Sequence, residues 1–282
     1  MARHVLVAVD VGNSHTTVGV FDDADQLLGE IRLETRRGWT RDEFAIALRQ
    51  GLSLRGLSLS QIDDAVLACV VPPAQPVIEQ ALSTYVGIQP LVIGPGVKTG
   101  MPIRYEPAQD VGADRIVTAV AAHHRHATPE HGIVVVDFGT ATTFDVVSPR
   151  PEYLGGAIAP GVGISADALF ARAAKLPRVE AARPASVVGT NTVAAIQSGL
   201  VYGYVGLVEG IIARIRDEVA WPVRVVATGG FARMVSETST AIDIVDDALV
   251  LEGLRLIYLR NRGSGPRGRA RAAAKSAAEN EA

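Results

Sequence analysis

The sequence has very little cysteine, few aromatic residues and no strong excess of charge. Its 282 residues include one cysteine and 5% aromatic residues, and the formal net charge is −3. A single cysteine leaves no disulfide within the chain, so the fold must depend on packed cores. The balanced charge argues against a general nucleic-acid-binding protein, which needs clustered Lys and Arg to displace counterions. The 48% hydrophobic content suits a chain of about two domains.

Long uninterrupted apolar runs are also missing. The apolar start at Val5 ends at Asp10, and the apolar segment 199–213 contains Glu209. A secretory signal or a membrane helix requires a longer run without charges. We therefore expect a cytoplasmic protein that has no membrane partner.

A strand–turn–strand pattern occurs twice, within residues 5–20 and within residues 132–147. Each copy predicts a buried strand, a polar turn whose groups can face phosphates, and a second strand. Two unrelated β-hairpins would give a similar pattern, and that alternative stays open at this point. An ungapped alignment pairs Asp10 with Asp137, Gly12 with Gly139, Thr16 with Thr143 and Val20 with Val147.

The order of the predicted elements repeats as well. Each hairpin is followed by a third strand and then by alternating helices and strands, and Thr40 and Glu43 form a capping box before the first helix. The order β-β-β-α-β-α-β predicts an α/β protein of two duplicated domains, with mixed sheets, flanking helices and a cleft between the domains. This arrangement resembles the ribonuclease-H-like and actin-like fold. The predicted domains are residues 1–115 and 116–260, followed by a disordered tail at 261–282.

The first turn has the chemistry of a phosphate site if a metal ion takes part. Asp10 can hold a hydrated Mg²⁺, whose charge reverses the local electrostatics, and Gly12 lets backbone N–H groups approach phosphate oxygens. The alternative is an Asp and an Asn that only satisfy a tight turn. Further neutral donors follow at Asn13, Ser14, Thr16 and Thr17.

Asp114 stands at or just inside the start of a predicted helix. An acid at this position can simply cap free N–H groups, and the helix dipole favours a negative charge there. It can also act as a base that accepts the proton of an attacking hydroxyl, while Arg115 steadies an anionic group. Local sequence leaves both interpretations open.

Two other phosphate motifs fit poorly. The segment 161–166 matches the dinucleotide pattern G-x-G-x-x-A, but no apolar strand precedes Glu180, where the ribose-binding acid would lie. The segment 94–99 ends in Lys-Thr, but Val97 occupies the glycine position that precedes the lysine of a P-loop.

A set of motifs in one order resembles type III pantothenate kinases, members of the actin, Hsp70 and sugar-kinase superfamily. The resemblance extends from about residue 5 to 260. It implies ATP-dependent phosphorylation of pantothenate to 4′-phosphopantothenate, the first step of coenzyme A biosynthesis, by a homodimer. A glycine pair at 229–230 is similar to the pair that covers the adenosine in the superfamily. The motifs are Asp-Val-Gly-Asn at 10–13, Gly-Val-Lys-Thr-Gly at 96–100, Gly-Ala-Asp-Arg at 112–115, Asp-Phe-Gly-Thr-Ala-Thr-Thr at 137–143, Gly-Gly-Ala-Ile-Ala-Pro-Gly at 155–161, Asn-Thr at 191–192 and Leu-Glu-Gly-Leu at 251–254.

The resemblance also implies roles for individual residues. Asp137 would serve a monovalent cation, K⁺ or NH₄⁺, and Asp114 would accept the proton of the phosphorylated hydroxyl. ATP with Mg²⁺ would bind at Asp10, Val11, Gly12, Asn13, Ser14, His15, Thr16, Thr17 and Thr140. Pantothenate would bind at Tyr105, Gly112, Ala113, Asp114, Arg115 and Thr192.

One departure from the family pattern is His15, which stands where the family often has an asparagine. A titratable ring replaces an amide there, so the pH dependence of nucleotide binding is an open question. Two other functions stay in competition with pantothenate kinase. One is a kinase of the same fold that acts on another small alcohol, and the other is a nucleotide-binding regulator without turnover.

Overall fold

The computed structural model describes residues 4–173 and 175–262, and these contain ten β-strands and seven α-helices. The strands are β1 Val5–Val11, β2 His15–Phe21, β3 Leu27–Glu34, β4 Ile62–Cys69, β5 Leu91–Val92, β6 Gly132–Phe138, β7 Ala141–Val147, β8 Tyr153–Pro160, β9 Val223–Gly229 and β10 Ile244–Val245. The helices are α1 Arg41–Ser53, α2 Gln75–Tyr85, α3 Ala113–His126, α4 Val162–Arg172, α5 Thr192–Glu218, α6 Ala232–Ser236 and α7 Leu249–Asn261.

The first sheet has the strand order β3-β2-β1-β4-β5. β1 pairs antiparallel with β2 and parallel with β4, and β4 pairs parallel with β5. The side chains of Val7, Val9 and Val11 lie in the core formed with α1 and α2. Because side chains of a strand alternate between the two faces, Asp10 faces the opposite side.

The second sheet has the equivalent order β10-β9-β6-β7-β8. β6 pairs antiparallel with β7 and parallel with β9. Phe138 and Phe144 are buried in its core together with Val208 of α5. The predicted duplicated α/β fold is therefore confirmed, with one helix more in the second half, where α4 and α5 both follow β8.

The capping box predicted at Thr40 is present at the start of α1. The Thr40 hydroxyl accepts the N–H of Glu43 at 3.2 Å, and the Glu43 carboxylate accepts the N–H of Thr40 at 2.9 Å. Both bonds satisfy donors that the first helical turn leaves unpaired. Here a local sequence signal fixes the helix start.

The two polar turns differ in length, since three residues separate β1 from β2 and two residues separate β6 from β7. Asp10 pairs with Thr17 in the first hairpin, whereas Asp137 pairs with Thr143 in the second. The ungapped alignment is wrong after the turn, because the extra residue of the first turn shifts the returning strand by one position. The misplaced pairs are Thr16 with Thr143 and Val20 with Val147.

Helix α5 is 27 residues long and, within the described residues, alone has the length and composition that could cross a membrane. In its most apolar window 39% of the residues are buried. Val205, Val208 and Ile212 pack in the core of the second sheet. The apolar character of α5 is thus accounted for in part by this core.

The chain divides into two compact units. The first unit contains the described residues of Met1–Gly100, Gln109–Val120 and Val250–Ala282. The second unit contains the described residues of Met101–Ala108 and Ala121–Leu249.

The predicted domain boundaries, 1–115 and 116–260, divide the chain at one point, whereas the units interleave. The last helix, α7, lies with the first unit. Of the predicted tail at 261–282, residues from 263 onward lie outside the described residues. Its first residue, Asn261, is buried and ends α7.

Gly253 allows α7 to approach α3 closely. A Cβ at Gly253 would overlap the carbonyl oxygen of Val117, in the part of α3 that belongs to the first unit. Two residues earlier, Leu251 lies against Gly19 of β2, where an added Cβ would come within 2.9 Å of the leucine. The Leu-Glu-Gly-Leu motif therefore fixes α7 between the sheet and the helix that carries Asp114.

We predict that Gly253→Ala destabilises the protein by about 2 kcal/mol, because a methyl group forced into a filled helix crossing displaces backbone. Urea unfolding monitored by circular dichroism measures this effect. Gly38→Ala is the matched control, because an added Cβ there meets nothing within 4 Å. Equal unfolding midpoints for Gly253→Ala and the unsubstituted protein would contradict the packing argument.

Candidate active site

The predicted phosphate turn lies at the carboxyl edge of the first sheet. The Gly12 N–H donates to the carbonyl oxygen of His15 at 3.0 Å and closes the turn. Asn13, Ser14 and His15 are exposed. Three parallel strands, β1, β4 and β5, end at this edge, and ligands of open α/β sheets bind at such edges.

Members of the predicted ATP set differ in what they offer to a ligand. Asp10 and Thr17 pair in register and share the face opposite the core. Val11 is completely buried, backbone included, and its carbonyl oxygen accepts the N–H of Val70 at 3.0 Å. Thr16 is 2% exposed, and its hydroxyl lies 2.9 Å from the hydroxyl of Thr35. Thr16 therefore supports the turn from the core side, which the sequence did not indicate.

Asp114 lies in the first turn of α3, where the helix dipole favours a negative charge. Its Oδ1 accepts the N–H of Arg115 at 2.8 Å. Burial raises the pKa of the Asp114 carboxyl above its ordinary value, and the N–H and charge of Arg115 oppose that shift only in part. A carboxylate whose pKa is raised by desolvation is a stronger base than an exposed one.

Gly112 keeps the space that the Asp114 carboxylate occupies. A Cβ at Gly112 would lie 2.5 Å from Oδ1 of Asp114 and 3.7 Å from Cγ1 of Val70, which follows β4. Only glycine leaves the carboxylate in this position without displacement. The Gly-Ala-Asp-Arg motif thus has a steric reason for its first residue.

The second turn is built around Asp137 at the end of β6. Gly229, at the end of β9, has a φ of +89°, and a Cβ there would lie 2.5 Å from Oδ1 of Asp137. The N–H of Gly230 donates to the carbonyl oxygen of Phe138 at 3.1 Å. The glycine pair 229–230 therefore lies beside the carboxylate that the resemblance assigns to a monovalent cation.

Thr140 is exposed in the same turn, and its backbone is fixed from β8. The N–H of Gly161 donates to the carbonyl oxygen of Thr140 at 3.1 Å. A Cβ at Gly161 would lie 2.5 Å from the carbonyl oxygen of Gly139. The end of the Gly-Gly-Ala-Ile-Ala-Pro-Gly motif therefore packs on the second phosphate turn, and the structure brings Asp137 and Thr140 together.

Tyr105 lies against the edge of the second sheet. The N–H of Arg104 donates to the carbonyl oxygen of Tyr153 at 2.7 Å and holds the segment along β8. The Tyr105 ring lies over Gly155, where an added Cβ would come within 3.2 Å of the ring. Gly155 has a φ of +113°, which a side chain rarely adopts.

Thr192 lines a cavity of about 940 Å³ in the second unit. It is the first residue of α5, and the Asn191 side chain caps this helix by accepting the N–H of Ala194 at 2.9 Å. Apolar side chains of α4 and α5 form much of the wall, including Leu169 and Leu207. The Asn-Thr motif therefore sets the helix start and presents Thr192 to the cavity.

The predicted pantothenate residues are divided between the two units. Gly112, Ala113, Asp114 and Arg115 belong to the first, and Tyr105 belongs to the second. Thr192 belongs to the second unit as well. Ala113, Asp114, Arg115 and Thr192 lie on helices, whereas Tyr105 and Gly112 lie in loops, and the assembly of these residues into one pocket stays a prediction.

The Gly-Val-Lys-Thr-Gly motif is tied to the end of α7. The Asn261 side chain accepts the Lys98 N–H at 3.2 Å and donates to the Lys98 carbonyl oxygen at 3.0 Å. Arg260 donates to the carbonyl oxygen of Thr99 at 3.1 Å. The role of Asn261 could not be predicted, because an asparagine preceding a basic tail carries no local sign of a long-range contact.

The oxygen ligands in the first turn fit Mg²⁺ that arrives with a nucleotide. Within residues 4–173 and 175–262 no three His, Cys, Asp or Glu side chains form a group that could hold a metal ion. Mg²⁺ in kinases usually takes one or two carboxylates, water and substrate phosphates. Asp10 is a carboxylate of the kind that such an ion would take.

Two five-stranded sheets with the same mixed order, each ending in an Asp-containing turn, define the duplicated fold of actin-like ATPases and sugar kinases. A Baf family protein from Campylobacter jejuni matches with a TM-score of 0.58 at 19% identity, covering 90% of this chain and 98% of that chain. A second match is the activator of the 2-hydroxyisocaproyl-CoA dehydratase from Clostridium difficile, solved with bound ADPNP. Its TM-score is 0.51 at 11% identity, and the match covers 92% of this chain and 93% of that chain. These similarities support the fold alone.

The sequence comparisons identify the family. The type III pantothenate kinase family matches residues 6–214. A type III pantothenate kinase from Myxococcus xanthus is 54% identical over 260 residues, covering 92% of this chain and 100% of the relative. Another from Moorella thermoacetica is 52% identical over 257 residues, covering 91% of this chain and 100% of the relative. This chain belongs to the type III pantothenate kinase family.

We predict that Asp114→Asn stabilises the protein at pH 7. The raised pKa means that the folded state holds the proton more tightly than the unfolded state, so the contribution of Asp114 to stability is lost as pH rises through the folded pKa. An amide avoids the buried charge, and its advantage fades as pH falls toward the ordinary carboxyl value of about 3.9. Urea midpoints between pH 7 and pH 4 measure this.

The control for this measurement is Asp110→Asn, which removes an exposed carboxylate four residues earlier. Its effect on the urea midpoint should stay small across the same pH range. A loss of stability in Asp114→Asn at pH 7 would show that the carboxylate is stabilising there and would contradict the prediction.

Proposed function

We propose that this chain transfers the γ-phosphoryl group of ATP to the hydroxyl of pantothenate, giving 4′-phosphopantothenate in the first step of coenzyme A biosynthesis. Family membership supplies the reaction, and the observation that carries the proposal for this chain is Asp114. It is a desolvated carboxylate at a helix start, and Gly112 keeps room for its Oδ1. The chain therefore retains the group that the reaction needs as a base.

Asp114 orients the attacking hydroxyl and accepts its proton. Phosphoryl transfer passes through a loose transition state, so the proton moves late and a carboxylate is basic enough. The raised pKa of the Asp114 carboxyl improves the match between this base and an alcohol. Arg115, the next residue of α3, supplies a positive charge for the anionic groups of the substrates.

ATP with Mg²⁺ is assigned to the first turn, with Asp10 toward the metal and the turn from Val11 to Thr17 toward the phosphates. When bound, Mg²⁺ neutralises charge on the phosphate oxygens. The exposed side chains of Ser14 and His15 add donors, and the Gly12 backbone comes close because no Cβ intervenes. Thr140, in the second unit, is also assigned to ATP.

A monovalent cation, K⁺ or NH₄⁺, is assigned to Asp137. Gly229 and Gly139 leave the space around Oδ1 of Asp137 free of Cβ atoms. A monovalent cation needs several oxygen ligands, and Asp137 would supply one of them. Pantothenate is assigned to Tyr105, the segment 112–115 and Thr192.

A homodimer is proposed because seven large apolar side chains between residues 158 and 193 of the second unit are exposed, and one of them, Leu169, lines the cavity. An interface with a second subunit would cover them. A kinase of this kind works where ATP is supplied, so we assign it to the cytoplasm. The exposed side chains and their exposures are Ile158 63%, Ile164 45%, Leu169 41%, Phe170 49%, Val187 63%, Val188 78% and Val193 45%.

We predict that the purified chain releases ADP from MgATP in the presence of pantothenate and that K⁺ or NH₄⁺ increases the rate. Sugars, acetate and glycerol tested in parallel should give little ADP. Asp114→Asn should lower turnover by roughly 10² to 10⁴ while ATP still binds, because the base is lost and the nucleotide turn is intact. A coupled ADP-release assay measures both effects.

Asp110→Asn is again the matched control and should keep the rate of the unsubstituted protein. No ADP with pantothenate under any combination of monovalent and divalent cations would refute the proposed reaction. Release of ADP with another alcohol but not with pantothenate would favour the related kinase, and ATP binding without transfer would favour the regulator. An unchanged rate in Asp114→Asn would leave Asp114 as a helix cap.

We also predict that the chain sediments as a dimer of the 29.6 kDa subunit. Val188→Asp should weaken the dimer at least about tenfold, because an unpaired charge would be buried in the interface. Leu54→Asp is the control, since Leu54 is 85% exposed and lies in the first unit, at the end of α1. Analytical ultracentrifugation of a monomeric unsubstituted protein at micromolar concentration would refute the dimer.

A further inference from the structure

Arg32 lies in register with the residues of the first phosphate turn. Asp10 of β1 pairs with Thr17 of β2, and Thr17 pairs with Arg32 of β3. Directly paired residues of antiparallel strands place their side chains on the same face. Asp10, Thr17 and Arg32 therefore form a row across three strands, on the face opposite the core.

The Arg32 side chain is directed toward the turn by His15. Its Nη2 lies 3.3 Å from Nδ1 of His15, and His15 precedes Thr17 by two residues, so the two share a face. Guanidinium nitrogens only donate, so Nδ1 accepts and the ring proton is assigned to Nε2. Partial burial and the Arg32 charge lower the pKa of His15, whereas Glu34 opposes this shift. The ring is therefore a neutral acceptor that orients the guanidinium.

The guanidinium of Arg32 forms no ion pair with the nearby carboxylate of Glu34. Glu34, which pairs with His15 across the sheet, places its carboxylate 3.3 Å from Nε of Arg36. Within residues 4–173 and 175–262, Arg32 takes part in no ion pair of 4.0 Å or less, and its side chain is exposed. An exposed guanidinium fixed beside a phosphate turn can still donate to an anion.

The second unit lacks this charge at the equivalent position. There Asp137 pairs with Thr143, and Thr143 pairs with Ile158, which is 63% exposed. The duplicated hairpins therefore differ in the third member of the row, arginine in the first and isoleucine in the second. The guanidinium charge of Arg32 is therefore present only beside the turn that is assigned to Mg²⁺ and ATP.

We propose that Arg32 is a further phosphate-binding residue, which donates to oxygens of the nucleotide's phosphate chain while His15 holds its guanidinium in place. The ligand class is a nucleoside di- or triphosphate, and the inference rests on the proposed assignment of ATP to this turn. Arginine binds phosphate with a planar fork of N–H donors, which a lysine does not reproduce. His15, the departure from the usual family residue, acquires a positioning role in this arrangement.

The test is isothermal titration calorimetry of the full chain with MgATP and with adenosine. Arg32→Gln should weaken MgATP binding about tenfold and leave adenosine binding unchanged, because one charge-assisted hydrogen bond to phosphate is lost. The ratio of the two affinities does not depend on the fraction of folded protein. Arg49→Gln is the matched control, since it removes the same charge from an exposed side chain of α1, which packs on the core side of the sheet, and it should keep the original ratio.

Steady-state kinetics give a second measurement. Arg32→Gln should raise KM for ATP with KM for pantothenate unchanged, and Arg32→Lys should restore only part of the loss. An Arg32→Gln protein with an unchanged affinity ratio for MgATP and adenosine would overturn the proposal. If that ratio falls as expected while the unsubstituted chain phosphorylates no pantothenate, the proposed function fails and the phosphate contact stands.

Discussion

Glycines keep the space that the key carboxylates of both units occupy. Gly112 leaves room for the Asp114 carboxylate, and Gly229 leaves room for Asp137, each at a distance that a Cβ would violate. Gly253 likewise leaves room where α7 crosses α3, because the backbone of α3 occupies the space that a side chain at position 253 would need. Clearance at these glycines thus helps to set where the carboxylates of the candidate site lie. Ordinary packing of aliphatic cores beneath the sheets then holds the backbone in place.

The duplication supplies two similar turns that are not interchangeable. The first turn is one residue longer and has Arg32 in its row, and the second turn has Gly161 packed on its backbone. The two turns therefore differ in the charge of the row beside them, with Arg32 in the first and Ile158 in the second. The first half is assigned to the phosphates with Mg²⁺, and the second is assigned to a monovalent cation at Asp137. Asymmetry of this kind lets a repeated element take two chemical roles.

The sequence predicts what local chemistry decides, and it fails where distant segments decide. The capping box at Thr40 and the alternation of strands and helices depend on neighbouring residues, and both are present. The register of β2 depends on one extra turn residue, which an ungapped alignment hides. Thr16 resembles its neighbour Thr17 in sequence, but strand alternation places it on the core side. The contact between Asn261 and Lys98 joins residues far apart in the chain, so no local pattern announces it.

The interleaved course of the chain has a consequence for protein synthesis. The first unit needs α7 to cover the face of its sheet that carries Gly19, and α7 is translated after the whole second unit. On the ribosome the second unit can therefore complete its core while the first unit still exposes apolar surface. Domains generally fold as they emerge, but here the earlier-made half must wait for the last helix. The half that is made first is thus the last to bury its apolar surface.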